Sequence, residues 1–265
     1  MTAISRAATD SATMLRRDLR HTMRNPTTMM ISLVTPIILV LLFVYVLGRA
    51  MGSGLGGAAS AGHGTSYIDY IVPGVIMMTA GYGAASTAVR VAADMSEGII
   101  DRFRTMAISR ASVPAGHVAG SVIRTMVSMG VVLGLTVLMG FRSSADAVRW
   151  IAAIGVIAML VIAITWLSVA LGLLARTPEN AQVTTMVPVL LPFVSSAFVP
   201  TALMPAPLAA FARYQPFTPV IETVRGLLMG TPIGNNAALA AGWCAAITLV
   251  GYLWSRNLFS REPAR

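Results

Sequence analysis

Ile151 to Leu174 reads IAAIGVIAMLVIAITWLSVALGLL, a run without a single charge, closed by Arg149 on one side and Arg176 on the other. An α-helix rises ~1.5 Å per residue, so a helix of this length clears the ~30 Å hydrocarbon core of a bilayer. A surface helix of a soluble domain keeps one polar face, and this run has none. It is read as a transmembrane span. Outward from it, five further apolar runs occupy residues 29–47, 68–89, 118–140, 183–204 and 237–254. The chain of 265 residues is 56% hydrophobic and 11% charged, against about 25% charged in soluble domains. Six spans and their connections use the whole length, so residues 1–265 form a single transmembrane domain. The fold class expected is all-α: a polytopic membrane protein of six transmembrane helices.

The charges set the orientation. All 19 basic residues are arginine and the net charge is +9. With the N-terminus in the cytoplasm, the cytoplasmic segments hold 14 arginines and the outer ones 5. That bias follows the positive-inside rule, puts both termini inside, and agrees with an even number of spans. Ala59-Ser60-Ala61 faintly resembles a signal-peptidase site, but it lies well past the end of the first run, which is too long for a signal core. The first span is therefore uncleaved. Before it, residues 9–24 carry Ala12, Leu15, Leu19 and Met23 at helical spacing, with Arg16, Arg17, Arg20 and Arg24 on the other faces. Such a helix is expected to lie in the cytoplasmic interface against anionic membrane lipids.

Two polar segments stand out. The cytoplasmic segment 94–110 reads Asp94-Met95-Ser96-Glu97-Gly98-Ile99-Ile100-Asp101-Arg102-Phe103-Arg104 at its start. It is either a short amphipathic helix that docks on another protein, with Phe103 as buried anchor and the arginines as directional contacts, or a solvated loop with weak Glu97–Asp101–Arg104 neighbour effects. The stretch 206–236 is less apolar than the spans and carries Arg213, Glu222 and Arg225. It reads as short broken helices that dip into the bilayer from the outer side or lie on it. Pro73 with Gly74 in the second run, and Pro188, Pro192 and Pro200 in the fifth, are candidate kinks, because proline removes a backbone hydrogen bond. Gly116-x-x-x-Gly120 and Gly130-x-x-x-Gly134 permit close helix packing.

Several chemistries are excluded. A phosphate-binding P-loop needs a lysine and this chain has none. If transport is ATP-driven, hydrolysis belongs to a partner. No metalloprotease or serine-hydrolase motif occurs, His21, His63 and His117 lack metal spacing, and the lone Cys244 reads as a small core residue. The chain is not expected to act as an enzyme, to bind a cofactor or metal, or to bind nucleic acid, since the arginine excess is accounted for by topology. No Asp, Glu, His or Arg is expected in the middle of a span, and an ion-coupled transporter usually needs one.

These segments resemble the permease subunits of type-2 ABC exporters, in particular the daunorubicin-resistance-like group. Three pieces carry the resemblance: Tyr70-Ile71-Val72-Pro73-Gly74; Glu97-Gly98 followed by Arg102-Phe103-Arg104 and Ile108-Ser109-Arg110; and Phe198-Val199-Pro200, Met204-Pro205 and Gln215-Pro216-Phe217-Thr218-Pro219-Val220-Ile221-Glu222-Thr223-Val224-Arg225-Gly226. The resemblance implies an N-terminal interfacial helix and a re-entrant hairpin before the last span, with Pro216, Pro219, Glu222 and Arg225 in that hairpin. It implies an ATPase-coupling role for Glu97, Gly98, Asp101, Arg102, Phe103 and Arg104. It also implies a cytoplasmic ABC ATPase subunit that brings ATP and Mg, a second copy of this chain or a sister permease, and a place in the bacterial inner membrane. The hairpin is sparsely aromatic, unlike that of polysaccharide exporters, which leaves a hydrophobic drug or a lipid as cargo. Two readings from other classes stand beside it: a secondary transporter, and a non-transporting membrane scaffold.

Overall fold

The computed structural model describes residues 26–46, 67–97, 112–175 and 177–260. The expected interfacial helix 9–24 and residues 98–110 of the cytoplasmic segment lie outside them. Among the described residues the chain is all-helical. Helix α1 spans Pro26–Leu41 and continues as a π-turn through Leu42–Val46. Then come α2 (Tyr67–Ser96), α3 (Ser112–Leu138) and α4 (Ala147–Ala175). The short helices α5 (Pro178–Thr184) and α6 (Met186–Leu190) follow, with a 3-10 turn at Leu191–Val194 and another at Thr201–Leu203. Two further helices, α7 (Ala206–Tyr214) and α8 (Phe217–Met229), precede α9 (Asn236–Ser260). Among the described residues, α2, α3, α4 and α9 are long and apolar enough to cross a membrane.

Helix α2 is the centre of the bundle. Of its most apolar stretch 78% is buried, against 17% for α9, which lies at the edge. Small residues allow that burial. A Cβ on Gly74 would sit 2.7 Å from the Ala197 Cα, one on Gly81 would sit 3.3 Å from the Pro188 carbonyl, and Ala88 and Ala92 pack on Ala181. The segment 178–198 therefore runs antiparallel along α2. The expected close packing at Gly130 and Gly134 is not found: both face open space, and tight approaches fall instead at other glycines, among them Gly74, Gly83, Gly172 and Gly251. Glycine pairs arise readily in a chain with 23 glycines, and only a facing backbone makes one a contact.

The fifth apolar run, expected as one span over 183–204, is built in pieces. Pro188, Pro192 and Pro200 each lack an amide hydrogen and crowd the preceding turn. The helix accordingly stops, tightens to 3-10 geometry, and turns at 195–198. Its outward side remains apolar and exposed at Val183, Met186, Val187, Leu190 and Phe193.

The two ends of the bundle are tied differently. At one end the Arg142 amide donates to Asp69 Oδ1 (3.1 Å), and the Ser143 hydroxyl and Ser144 amide donate to the Leu228 carbonyl (2.8 and 3.1 Å). Helix α8 stops there on Gly230, whose φ of 74° suits a residue without Cβ. At the other end His117 Nε2 meets Asp94 Oδ2 at 3.3 Å, and Val91, Val118, Val169, Leu173 and Phe259 form a separate apolar cluster.

Candidate functional site

The break in the fifth run leaves buried amide and carbonyl groups without helical partners, and such groups need others. Side chains of α2, α8 and the residues before α8 supply them. Ser196 is the point of convergence. Its amide donates to Thr218 Oγ1 (3.2 Å), which also accepts from Gln215 Nε2 (3.2 Å). Its carbonyl accepts from the Tyr70 hydroxyl (3.0 Å) and from Arg225 Nη2 (2.9 Å). One residue on, the Ala197 amide donates to the Ser195 hydroxyl (3.1 Å), which itself bonds the Pro192 carbonyl.

Arg225 binds three elements at once. Its Nη2 and Nε donate to the Tyr70 carbonyl on α2 (3.0 and 3.3 Å), and Nη2 also reaches Ser196 in the broken run. On its own helix, Nη1 pairs with Glu222 Oε1 at 2.6 Å, one turn back. The guanidinium carbon lies 3.8 Å from the centre of the Tyr70 ring, within cation–π range. The Arg225 side chain is 8% exposed and that of Glu222 32%. The planar fork of five donors serves two carbonyls and a carboxylate together, which a lysine cannot do. Close by, Gly74 leaves room for Ala197, and Phe43 of the first helix stacks on Phe198 at 4.1 Å with Phe193 tilted against it at 5.7 Å. The clamp thus sits where α2, α8, the broken run and the first helix meet.

Pro73, Gly74, Pro192, Pro219 and Arg225 are buried and gather around this clamp, with Glu222 beside them; Pro188 lies further along, opposite Gly81. Pro200 and Pro216 are partly buried and start the second 3-10 turn and α8. Glu97 stands apart, exposed in the turn that ends α2, with its amide on the Ala93 carbonyl (2.9 Å). It is ~40 Å along the helix from Tyr70. Gly98, Asp101, Arg102, Phe103 and Arg104 lie outside the described residues.

Two expectations need correction. Arg225, counted as an outer arginine, is buried in the clamp. Arg124, counted with the cytoplasmic loop, is 9% exposed near the middle of α3, because that helix begins at Ser112 rather than at 118. The statement that no charge lies within a span therefore fails at Arg124. An arginine stays protonated and is no proton carrier. Ser196 was not singled out in the sequence, and Gln215 and Thr218 entered only as members of the motif 215–226. The run of prolines before Ser195-Ser196 was the available signal, since a broken backbone calls for hydroxyl and amide side chains. Among the described residues no three His, Cys, Asp or Glu side chains come together to hold a metal.

A bundle of apolar helices long enough to span a bilayer, with a proline-broken segment pinned by a buried arginine, defines a polytopic membrane protein. The chain belongs to the ABC-2 type transporter family, whose profile it matches over residues 10–229. It is 28% identical over 228 residues to the daunorubicin resistance ABC transporter permease protein DrrB1 of Streptomyces coeruleorubidus, a match that covers 84% of this chain and 77% of that protein. It is 27% identical over 220 residues to the probable doxorubicin resistance ABC transporter permease protein DrrC of Mycobacterium tuberculosis, covering 83% of this chain and 78% of that one.

Proposed function

We propose that this chain is the membrane-spanning subunit of an ATP-driven exporter. It crosses a bacterial cell membrane six times with both termini in the cytoplasm. Residues 9–24 lie along the inner interface, and residues 206–236 re-enter the bilayer from the outer side before the last span. It works as a pair, with a second copy or a sister permease, each docked on a cytoplasmic ABC ATPase that binds ATP and Mg. Its cargo is hydrophobic or amphipathic, a drug or a lipid. The drugs in its relatives' names, daunorubicin and doxorubicin, favour the first of these.

One observation carries this reading. Helix α2 is a single helix of 30 residues that has the Arg225 clamp at one end and delivers Glu97 at the other. A packed helix moves as a unit, so displacement of one end is felt at the other. In the proposed cycle ATP closes the partner ATPases, and the segment of Glu97, Gly98, Asp101, Arg102, Phe103 and Arg104 moves with them. Helix α2 carries the motion to the kinks at Pro73, Gly74, Pro188, Pro192 and Pro200. The hairpin residues Pro216, Pro219, Glu222 and Arg225 hold the outer gate to α2, and its shift releases cargo outward.

The test is co-expression with the partner ATPase and measurement of ATP-dependent export of a fluorescent anthracycline from loaded vesicles. Arg102→Glu combined with Phe103→Ala is expected to abolish export and to leave membrane insertion unchanged. Export that survives the double change overturns the coupling role. Export that collapses with an uncoupler and persists on ATP depletion overturns the exporter in favour of an ion-coupled transporter.

A further inference from the structure

Helices α4 and α9 run side by side in the same direction. Trp166 meets Tyr252 edge to face at 5.1 Å, and a Cβ on Gly251 would sit 2.7 Å from the Leu167 amide nitrogen. Beyond that tight contact the helices part and leave a groove of about 330 Å³. Met159, Ile162, Ala245, Thr248, Leu249 and Tyr252 line it, with the buried Cys244. The one hydroxyl at its middle is already used, since Thr248 donates to the Cys244 carbonyl of its own helix (2.7 Å). The groove lining is therefore predominantly apolar. It opens on the least buried of the long helices. A space of about 330 Å³ is of the size of a single hydrocarbon chain and small for a helix ~10 Å across.

Charge marks one end of this groove. Arg256 follows Tyr252 by one helical turn, on the same face of α9, and is exposed. It lies eight residues from Thr248, ~12 Å along the axis, against ~15 Å from the middle of a bilayer to the edge of its hydrocarbon. An arginine at that depth reaches the phosphate layer with its stem in the apolar region. Its fork suits two phosphate oxygens.

We propose that the groove between α4 and α9 is a binding site for an anionic glycerophospholipid, with one acyl chain along Tyr252 and Leu249 and the phosphate on Arg256. The site is separate from the clamp and does not depend on the cargo. An anionic headgroup is favoured because one basic residue at the membrane surface improves association about fivefold.

The full chain is reconstituted in phosphatidylcholine vesicles doped with phosphatidylglycerol carrying a photoreactive group midway along one acyl chain. A matched phosphatidylcholine probe serves as the comparison. After illumination, labelled peptides are identified by mass. Residues 244–252 are expected to label several-fold more with phosphatidylglycerol. Arg256→Gln is expected to bring that labelling down about fivefold, to the phosphatidylcholine level, while Arg256→Lys keeps most of it. Ala245→Phe, at an exposed position, fills the groove and removes the label there with either probe. Equal labelling of the unmodified chain by both probes overturns the proposal, and that comparison stands even if Arg256→Gln inserts poorly. Labelling unaffected by Arg256→Gln, or a crosslink to a second copy in place of lipid, overturns it as well.

Discussion

Arg225 shows how a charge can be held within an apolar bundle. The guanidinium stays ionised in any protein setting, so burial has to be offset by partners. Ser196 lies in a turn made by prolines, and its carbonyl takes Arg225 beside the Tyr70 hydroxyl; the Tyr70 carbonyl takes two further donors of the same guanidinium. Truncating Arg225 leaves these acceptors short of a donor away from water. Arg225→Ala is expected to cost ~2 kcal/mol, which is roughly 4–8 °C in thermal midpoint for a chain of this size. Intrinsic tryptophan fluorescence of the detergent-purified protein reads it. Arg225→Lys should recover less than half of the loss, because one ammonium cannot span both carbonyls and Glu222. Glu222→Gln should cost far less, since that carboxylate is 32% exposed. A midpoint unmoved by Arg225→Ala would mean that the clamp does not hold the fold. The residue was legible as part of a short helix before the last span but not as buried. Arginine counts assign each cation to the nearer aqueous side, and nothing in Val224-Arg225-Gly226 says that its helix turns inward. Arg124 was misplaced for the same reason.

At the level of elements, uninterrupted apolar runs were legible and broken ones were not. Helix α4 follows its run almost residue for residue, because Asp146 accepts from the Arg149 amide (2.9 Å) at its start and no proline interrupts it. The run 183–204 has the hydropathy of a span, but its prolines leave segments too short to close their own hydrogen bonds. Its shape then depends on partners distant in sequence, Thr218 and Arg225, which periodicity cannot supply. Packing between helices was equally hidden, since a glycine matters only through what faces it. Helix α4 allows a paired test. A Cβ on Gly172 would lie 2.5 Å from the Ala88 carbonyl and 3.0 Å from the Val91 Cβ, whereas one on Gly155 meets nothing within 4 Å. Gly172→Ala is expected to destabilise by about 1–3 kcal/mol, because two backbones must separate. Gly155→Ala should be neutral or stabilising by up to ~1 kcal/mol through helix propensity. The two midpoints, measured in one detergent, should therefore move apart. Equal shifts would show that α2 and α4 are not in the contact described.

For the molecule as a whole, sidedness and fold can be tested separately. The fold requires the loop after α3 and the loop after α8 to share one end, since Ser143 and Ser144 both bond the Leu228 carbonyl. It places the Asp94–His117 pair and the end of α9 at the other end, through the cluster that joins Val91, Val118 and Phe259. None of this says which end faces the cytoplasm. That sign comes only from the arginine asymmetry, 14 against 5 in the sequence and 13 against 4 once the buried Arg124 and Arg225 are set aside. The buried thiol of Cys244 is the chain's single cysteine, so Cys244→Ser gives a clean background. On it, Ser143→Cys, Asn235→Cys and Arg265→Cys are introduced singly and challenged in intact cells with a membrane-impermeant maleimide. Ser143→Cys and Asn235→Cys are expected to label at once, and Arg265→Cys only after permeabilisation. If the first two stay silent and the third labels, the bundle stands and its orientation is reversed, which removes the cytoplasmic position on which any coupling role of Glu97 depends. If Ser143→Cys and Asn235→Cys label from opposite sides, the bond network at Leu228 cannot exist, and the arrangement of α3, α8 and α9 fails with it.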